Sequence, residues 1–403
     1  MGKRYVFSAG FISFLAILLT IPFHAYALDF TMIQKKAKNQ TVYFNAWGGS
    51  ESINNYIRKA AKRAEQKFGF KVVHVKVTDI STVVSRIMVE KSVGHKENGS
   101  VDLIWINGEN FRAMKENHLL YGPFTNDLPN YKYVDVEHKI TTLFDFTIPV
   151  DNMEAPWGMA QLVFMYDTKR IKNHPESMED LLKFARLHPG RVTYPAPPDF
   201  HGTTFLKQAL LELVHDREIL YRPVSESDFN LVTQPLWKFL DALHPLMWRQ
   251  AKVFPAGASR MKQMLNDNEI FISLSFNPNA AGNAILKGEL PDTVRTYVHG
   301  CGTIGNTHFL AIPFNSSGKE AAMVFINYLL SPAAQAEKAC PEIWGDPTVL
   351  AMDKLGNEDK ALFSAILRNV ADLSEKELAM VLKEPHATWV QAIEREWQKR
   401  YSK

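Results

Sequence analysis

Short β-rich runs alternate with amphipathic stretches along this chain, and that alternation restricts its fold more than any other feature. Thr41-Val42-Tyr43-Phe44-Asn45-Ala46 is such a run, and Ser50 to Phe68 follows it with Ile53, Tyr56, Ile57, Ala60, Ala61 and Ala64 on one helical face. A second strand is expected at Lys71 to Val77, a helix at Thr82 to Lys91, a third strand at Val101 to Ile106, and a helix from Glu109 to Asn117. Repeated strand and helix units of this kind build a mostly parallel sheet covered by helices. The pattern resumes with a strand at Gln161 to Tyr166 and a helix opened by Ser177, whose first turn carries Glu179 and Asp180. It continues through Arg191 to Tyr194, Thr203 to Asp216, Arg260 to Asn266, Ile270 to Phe276 and Ala280 to Lys287. A strand at Thr307 to Phe314 and helices at Gly318 to Leu330, Pro332 to Ala339, Lys360 to Asn369 and Thr388 to Tyr401 complete it. For 403 residues the expected fold class is α/β with two lobes, each a mostly parallel sheet flanked by helices and facing the other across a ligand cleft.

The amino terminus sets the compartment. Lys3 and Arg4 precede the apolar run Phe11 to Leu19, and Pro22 and the triplet Ala25-Tyr26-Ala27 follow it. A basic start, a short apolar middle and a small-residue end form a secretory signal peptide. Pro22 and His24 stop the run short of the roughly 20 residues that a spanning helix needs. Residues 1–27 are therefore expected to be removed, which leaves an unlipidated, soluble chain outside the cytoplasm. Without Lys3 and Arg4, 44 basic residues face 43 acidic ones, a balance that gives no electrostatic reason to expect nucleic acid or an anionic membrane as partner. Cys301 and Cys340 are the two cysteines, and in an oxidising compartment an isolated pair is read as one disulfide.

Motifs of catalysis fall short. Gly48-Gly49-Ser50-Glu51-Ser52 begins like a nucleophile elbow, but Ser52 stands where that turn needs a second small glycine. The loop is better read as a helix amino terminus with Ser50 as cap and exposed amides for a ligand acceptor. Gly300-Cys301-Gly302-Thr303-Ile304-Gly305 matches G-x-G-x-x-G, yet a strand rather than a helix is expected after it, so no dinucleotide cofactor is assigned. The 13 histidines show no H-x-x-x-H or H-E-x-x-H spacing, and no metal site or other cofactor is assigned.

The loops after the strands carry a different chemistry. Trp47, Gly49, Ser50 and Glu51 follow the first strand, and Asn107 and Glu109 follow the third. Trp157, His201, Thr203, Phe276, Asn277, Trp344 and Asp346 extend the set. Open α/β sheets bind ligands at the carboxyl ends of their strands, where these rings, amides and carboxylates should gather. Stacking rings beside carboxylates suit a small polar solute with a cationic or heteroaromatic head, since a ring face attracts positive charge.

Four stretches carry a resemblance. Lys115-Glu116-Asn117-His118-Leu119-Leu120 leads to Gly122-Pro123, and Pro156-Trp157-Gly158 leads to Tyr166-Asp167 and then Pro175-Glu176-Ser177-Met178-Glu179-Asp180-Leu181-Leu182. Near the end stands Leu329-Leu330-Ser331-Pro332-Ala333-Ala334-Gln335. Together they resemble the periplasmic solute-binding proteins of ABC importers, in the large two-lobed class that includes thiamine, iron, polyamine and maltose binders. The resemblance implies a monomeric periplasmic receptor that captures a solute between lobes and delivers it to membrane permease subunits. By the same analogy one lobe would comprise residues 28–156 and 308–341, and the other 157–307 and 342–403. The competing reading is a secreted two-domain α/β enzyme, a hydrolase or transferase acting in the same cleft with Ser50 and a base such as His201.

Overall fold

The computed structural model describes residues 1–2, 30–378 and 380–402. The expected signal segment, residues 1–27, lies outside them but for Met1 and Gly2. Among the described residues no helix is long and apolar enough to cross a membrane.

The strands are β1 (Thr41–Trp47), β2 (Lys71–Val77), β3 (Leu103–Ile106), β4 (Phe144–Asp145), β5 (Ile148–Pro149), β6 (Glu154–Gln161), β7 (Val163–Asp167), β8 (Ile272–Ser275), β9 (Val294–Tyr297), β10 (Thr303–Ala311) and β11 (Val381–Leu382). In the first sheet the order is β11-β10-β3-β1-β2, with β6 also paired to β10. β2, β1 and β3 are parallel, as the alternation requires. The helix Glu51–Phe68 covers them with the apolar face read from the sequence, and it stops at Gly69, whose φ of 76° supplies the left-handed carboxyl cap.

The second lobe departs from the expected parallel sheet. Its three strands run in the order β8-β7-β9, and β7 is antiparallel to both neighbours. The unit β8, helix Ala280–Leu286, β9 keeps its two strands parallel to one another, but β7 inserts between them, so the sheet is antiparallel by neighbour. The run Arg191 to Tyr194 is not a strand, and β6, which sequence reading passed over, is one.

Two main apolar cores define the lobes. The first gathers Val42, Phe44, Tyr56, Leu103, Trp157, Leu310 and Phe325. The second gathers Phe164, Phe205, Leu206, Leu240, Ile304, Trp389 and Trp397. β6 and β10 serve both: Ala155 and Trp157 lie in the first core and Ala160 in the second, while Ile304 lies in the second and Leu310 in the first. This antiparallel pair is therefore the two-strand crossover between lobes. The boundary drawn at residue 342 shifts, because Trp344, Val349, Leu350 and Leu355 pack into the first core, and the chain enters the second only near Ala371.

The expected disulfide is absent, since Cys301 and Cys340 are both free thiols. They are anchored in opposite lobes. Cys301 sits in the turn before β10, where burial pushes its thiol up, and Cys340 caps the helix Pro332–Ala339 with its sulfur 2.8 Å from the Glu342 carboxylate.

Within the second core the Tyr194 hydroxyl lies 2.7 Å from His244 Nε2 and accepts the Trp397 indole N–H at 2.8 Å. Burial holds the His244 imidazole down at about 4. Because that value lies below the unfolded one, its stabilisation is complete above about pH 6.5 and is lost as pH falls toward 4. Urea midpoints should fall across that window by an amount equivalent to on the order of 3 kcal/mol. A His244→Phe variant that kept the full slope would rule out this assignment.

Candidate functional site

Where the lobes meet, side chains from both converge on the ammonium of Lys207. It rises from the helix Phe200–Leu213, in which Gly202 through Leu211 are all buried, and it is itself only 2 % exposed. Lys207 Nζ bonds Glu384 Oε2 at 2.6 Å, and Glu384 is equally buried. Asn306 on β10 donates to the other Glu384 oxygen at 3.0 Å. From the same helix Thr203 Oγ1 donates to Glu394 of the C-terminal helix at 2.6 Å.

The first lobe contributes the opposite wall. Asp145 is fully buried at the end of β4 and accepts the Gly108 N–H at 2.7 Å through Oδ1, while its Oδ2 has no partner. Phe146 follows it in the two-residue turn to β5, at φ 53°. That position favours glycine, so a bulky residue there is a conformational outlier. The ring compensates by packing against Ala387 and Val390 of the second lobe, with Lys207 Nζ 4.6 Å from its centroid. Phe200 lies on another side of the ammonium at 5.8 Å and meets Phe276 edge to face at 5.0 Å. Gly108 must lack a side chain here, because a Cβ would lie 2.6 Å from the Phe146 ring.

The electrostatics follow from burying several acids beside one base. Burial pushes the Glu109 carboxyl up to about 6; Lys207 opposes the shift, and Glu394 and Glu384 add to it. Burial raises Asp145 further, with Glu109 and Glu384 reinforcing the effect. Glu394 is raised by burial as well, and Glu154, buried with both oxygens unpartnered, is raised by burial and by Asp145. Carboxylates thus outnumber ammonium groups at the lobe interface. Among the described residues no three His, Cys, Asp or Glu side chains are placed to hold a metal ion.

A second cluster occupies the crossover. Trp157 makes edge-to-face contacts with Trp105 at 5.1 Å and Trp344 at 5.2 Å, and Trp344 also meets Tyr56 at 5.6 Å. Beside these rings Asp346 accepts from buried Lys338 and lies 2.8 Å from His308 Nε2. Burial would lift the Asp346 carboxyl, but Lys338 and His308 reverse that and hold it below its usual range. His308 sits where the β6–β10 register shifts, opposite Gly158. Amides of the second lobe close over the same loop: Asn277 and Asn283 donate to the Trp344 carbonyl at 3.4 and 2.6 Å, and Asn279 donates to that of Gly345 at 2.7 Å.

The residues anticipated from sequence therefore divide. Glu109 and Thr203 stand in the interlobe cluster, and Phe276 reaches it through Phe200. Trp157, Trp344 and Asp346 are packed into the crossover, where Asn277 latches onto them. His201 lies beside Phe200 in the first turn of its helix, its backbone N–H on Asp199. At the end of β1, Gly49 packs on the Trp47 indole, Ser50 Oγ meets Ser52 Oγ at 3.0 Å, and Glu51 is exposed. Asn107 is half-buried after β3. Lys207, Asp145, Phe146, Glu384 and Glu394 were not anticipated. Only Lys207 left a trace in the sequence, as the one cation inside the apolar stretch from Thr203 to Leu211.

Comparison with known proteins agrees with this architecture. The family model for bacterial extracellular solute-binding proteins matches residues 59–351. Protein YnjB of Escherichia coli K12 is 41% identical over 387 residues, covering 96% of this chain and 97% of that protein. Among solved structures, the Tp0655 (TpPotD) lipoprotein of Treponema pallidum superposes with a TM-score of 0.67 at 14% identity, covering 90% of this chain and 99% of that one. A putative spermidine/putrescine ABC transporter protein from Listeria monocytogenes gives 0.63 at 16%, covering 90% and 98%. At such identities the structures establish the shared two-lobed fold. With the matching family model and the 41% relative, they establish that this chain belongs to the bacterial extracellular solute-binding protein family.

Proposed function

We propose that this protein captures a cationic organic solute between its lobes, in the periplasm, and passes it unchanged to the permease subunits of an ABC importer. It acts as a monomer and without catalysis. The observation that carries the reading is an excess of carboxylates at the lobe interface among the described residues: buried Asp145 and Glu384 and half-buried Glu109 and Glu394 lie around the Lys207 ammonium, which bonds Glu384, and Asp145 keeps an unpartnered oxygen. Buried acids without counter-charges are costly, and an arriving cation removes that cost. The Listeria neighbour is described as a spermidine/putrescine transporter protein, and spermidine and putrescine are amines. Trp157 and Trp344 are buried in the crossover and lend no support to the heteroaromatic part of the expected solute, which leaves half-buried Trp47 of the three tryptophans.

Native mass spectrometry of protein purified without denaturation, followed by a thermal-shift panel of amines, vitamins, sugars and metal ions, tests the reading. An organic cation is the expected partner, and recovery of an anionic solute or measurable turnover would overturn it. The acid cluster also sets a pH dependence. A cation favours ionised Glu109, so capture below pH 6 should release a proton, and affinity should rise with pH by up to about tenfold per unit until the carboxyl is ionised. Calorimetry in buffers of different ionisation enthalpy reads that proton, and Glu109→Gln should flatten the dependence between pH 5 and 7.

A further inference from the structure

We propose that Lys207 is an internal stand-in for the ammonium of the solute: it fills a primary-ammonium subsite built by both lobes and holds them together until a solute displaces it. This rests on the reading of the lobe interface as the solute site.

The geometry is that of a bound ligand more than of a structural ion pair. The ammonium has a carboxylate oxygen at 2.6 Å and ring centroids at 4.6 and 5.8 Å. Its partners come from both sides: Glu384 and Phe200 from the second lobe, Phe146 from the first. Cation–ring contact of this kind strengthens when the cation is removed from water, and Lys207 is 2 % exposed. Stability alone does not account for the arrangement, because a well-packed apolar pair is usually as stable as a buried ion pair. The first lobe in addition accepts Phe146 at φ 53° to bring its ring over the ammonium. Asp145 Oδ2, buried and unpartnered, lies among the same charges and is an acceptor that Lys207 leaves unused.

Two experiments on solute-free protein, prepared by unfolding, dialysis and refolding, test this. Lys207→Ala removes the atoms from Cγ to Nζ, which n-propylammonium reproduces. The melting temperature of the variant should rise with n-propylammonium chloride in a saturable way, while propan-1-ol and sodium chloride leave it unchanged and the wild type does not respond. Equal responses of variant and wild type would overturn the subsite. For closure, small-angle X-ray scattering should show a larger radius of gyration for Lys207→Met/Glu384→Gln, which removes both members of the ion pair, than for the wild type. Phe146→Ala should shift it in the same direction while leaving every charged side chain in place, and serves if the double variant does not fold. A folded variant with an unchanged radius of gyration would overturn the closure role. Neither readout uses the natural solute, so failure here is distinct from failure of the ligand panel, which alone bears on solute capture.

Discussion

Gly158→Ala should destabilise the protein by about 3–5 kcal/mol, the range for disrupting a buried ion pair. The added Cβ would stand 1.9 Å from Asp346 Oδ2 and 2.7 Å from both His308 Cδ2 and Lys338 Nζ. None of these can retreat freely. Asp346 is held by Lys338 on one oxygen and by His308 on the other, and it is 2 % exposed. Moving the carboxylate breaks both bonds, and moving Gly158 disturbs β6 opposite the register shift at His308. Equilibrium urea unfolding followed by circular dichroism is the measurement, with the midpoint lowered and the slope unchanged. A midpoint equal to wild type would show that the crossover is loosely packed, contrary to this account.

The second large effect is expected at Lys207. Lys207→Met removes the only ammonium bonded to Glu384 Oε2 in the described structure and leaves that acid buried with a single Asn306 contact. A loss of about 3–5 kcal/mol follows from the stranded charge, whereas Met retains most of the volume of the lysine stem. Glu384→Gln in the same background removes the charge and keeps an oxygen for the Asn306 amide, so the double variant should recover most of the loss. The double-mutant cycle should therefore be strongly non-additive. If the two substitutions simply added, Lys207 and Glu384 would not be a coupled pair.

Much of the scaffold was legible because it rests on local periodicity. The apolar face from Ile53 to Ala64, the Ser177 cap that accepts the Asp180 N–H at 3.1 Å, and the parallel set β2-β1-β3 all depend on residues close in sequence. The glycine-rich match is followed by a strand and not a helix, as expected, but the strand begins at Thr303 inside the match and not at Thr307, so only Gly300 to Gly302 form the turn. β6 was passed over because Glu154-Ala155-Pro156-Trp157-Gly158 has the composition of a loop, with a proline and a glycine. It is a strand because β10 lies alongside it and supplies the ladder. The antiparallel second sheet was equally hidden, since nothing local in Val163 to Asp167 says that it inserts between β8 and β9.

For the site the division is sharper. The sequence by itself determined the α/β class, the helix faces, the Ser177 cap, and the placement of Glu109 and Thr203 near strand and helix ends, because each is set by spacing and side-chain type over a few residues; Ser50 precedes its helix without a side-chain cap bond. Only the tertiary structure decided which charges meet. Lys207 and Glu384 are 177 residues apart, and Asp145 with Phe146, Asn306 and Glu394 come from three further segments. Trp157 and Trp344, which looked like ligand platforms, were drawn into the crossover, where they pack with half-buried Trp105 beside Asp346 and Lys338 at the join between lobes. The physical reason is that burial and Coulomb interaction depend on distance in space, while periodicity reports only distance along the chain.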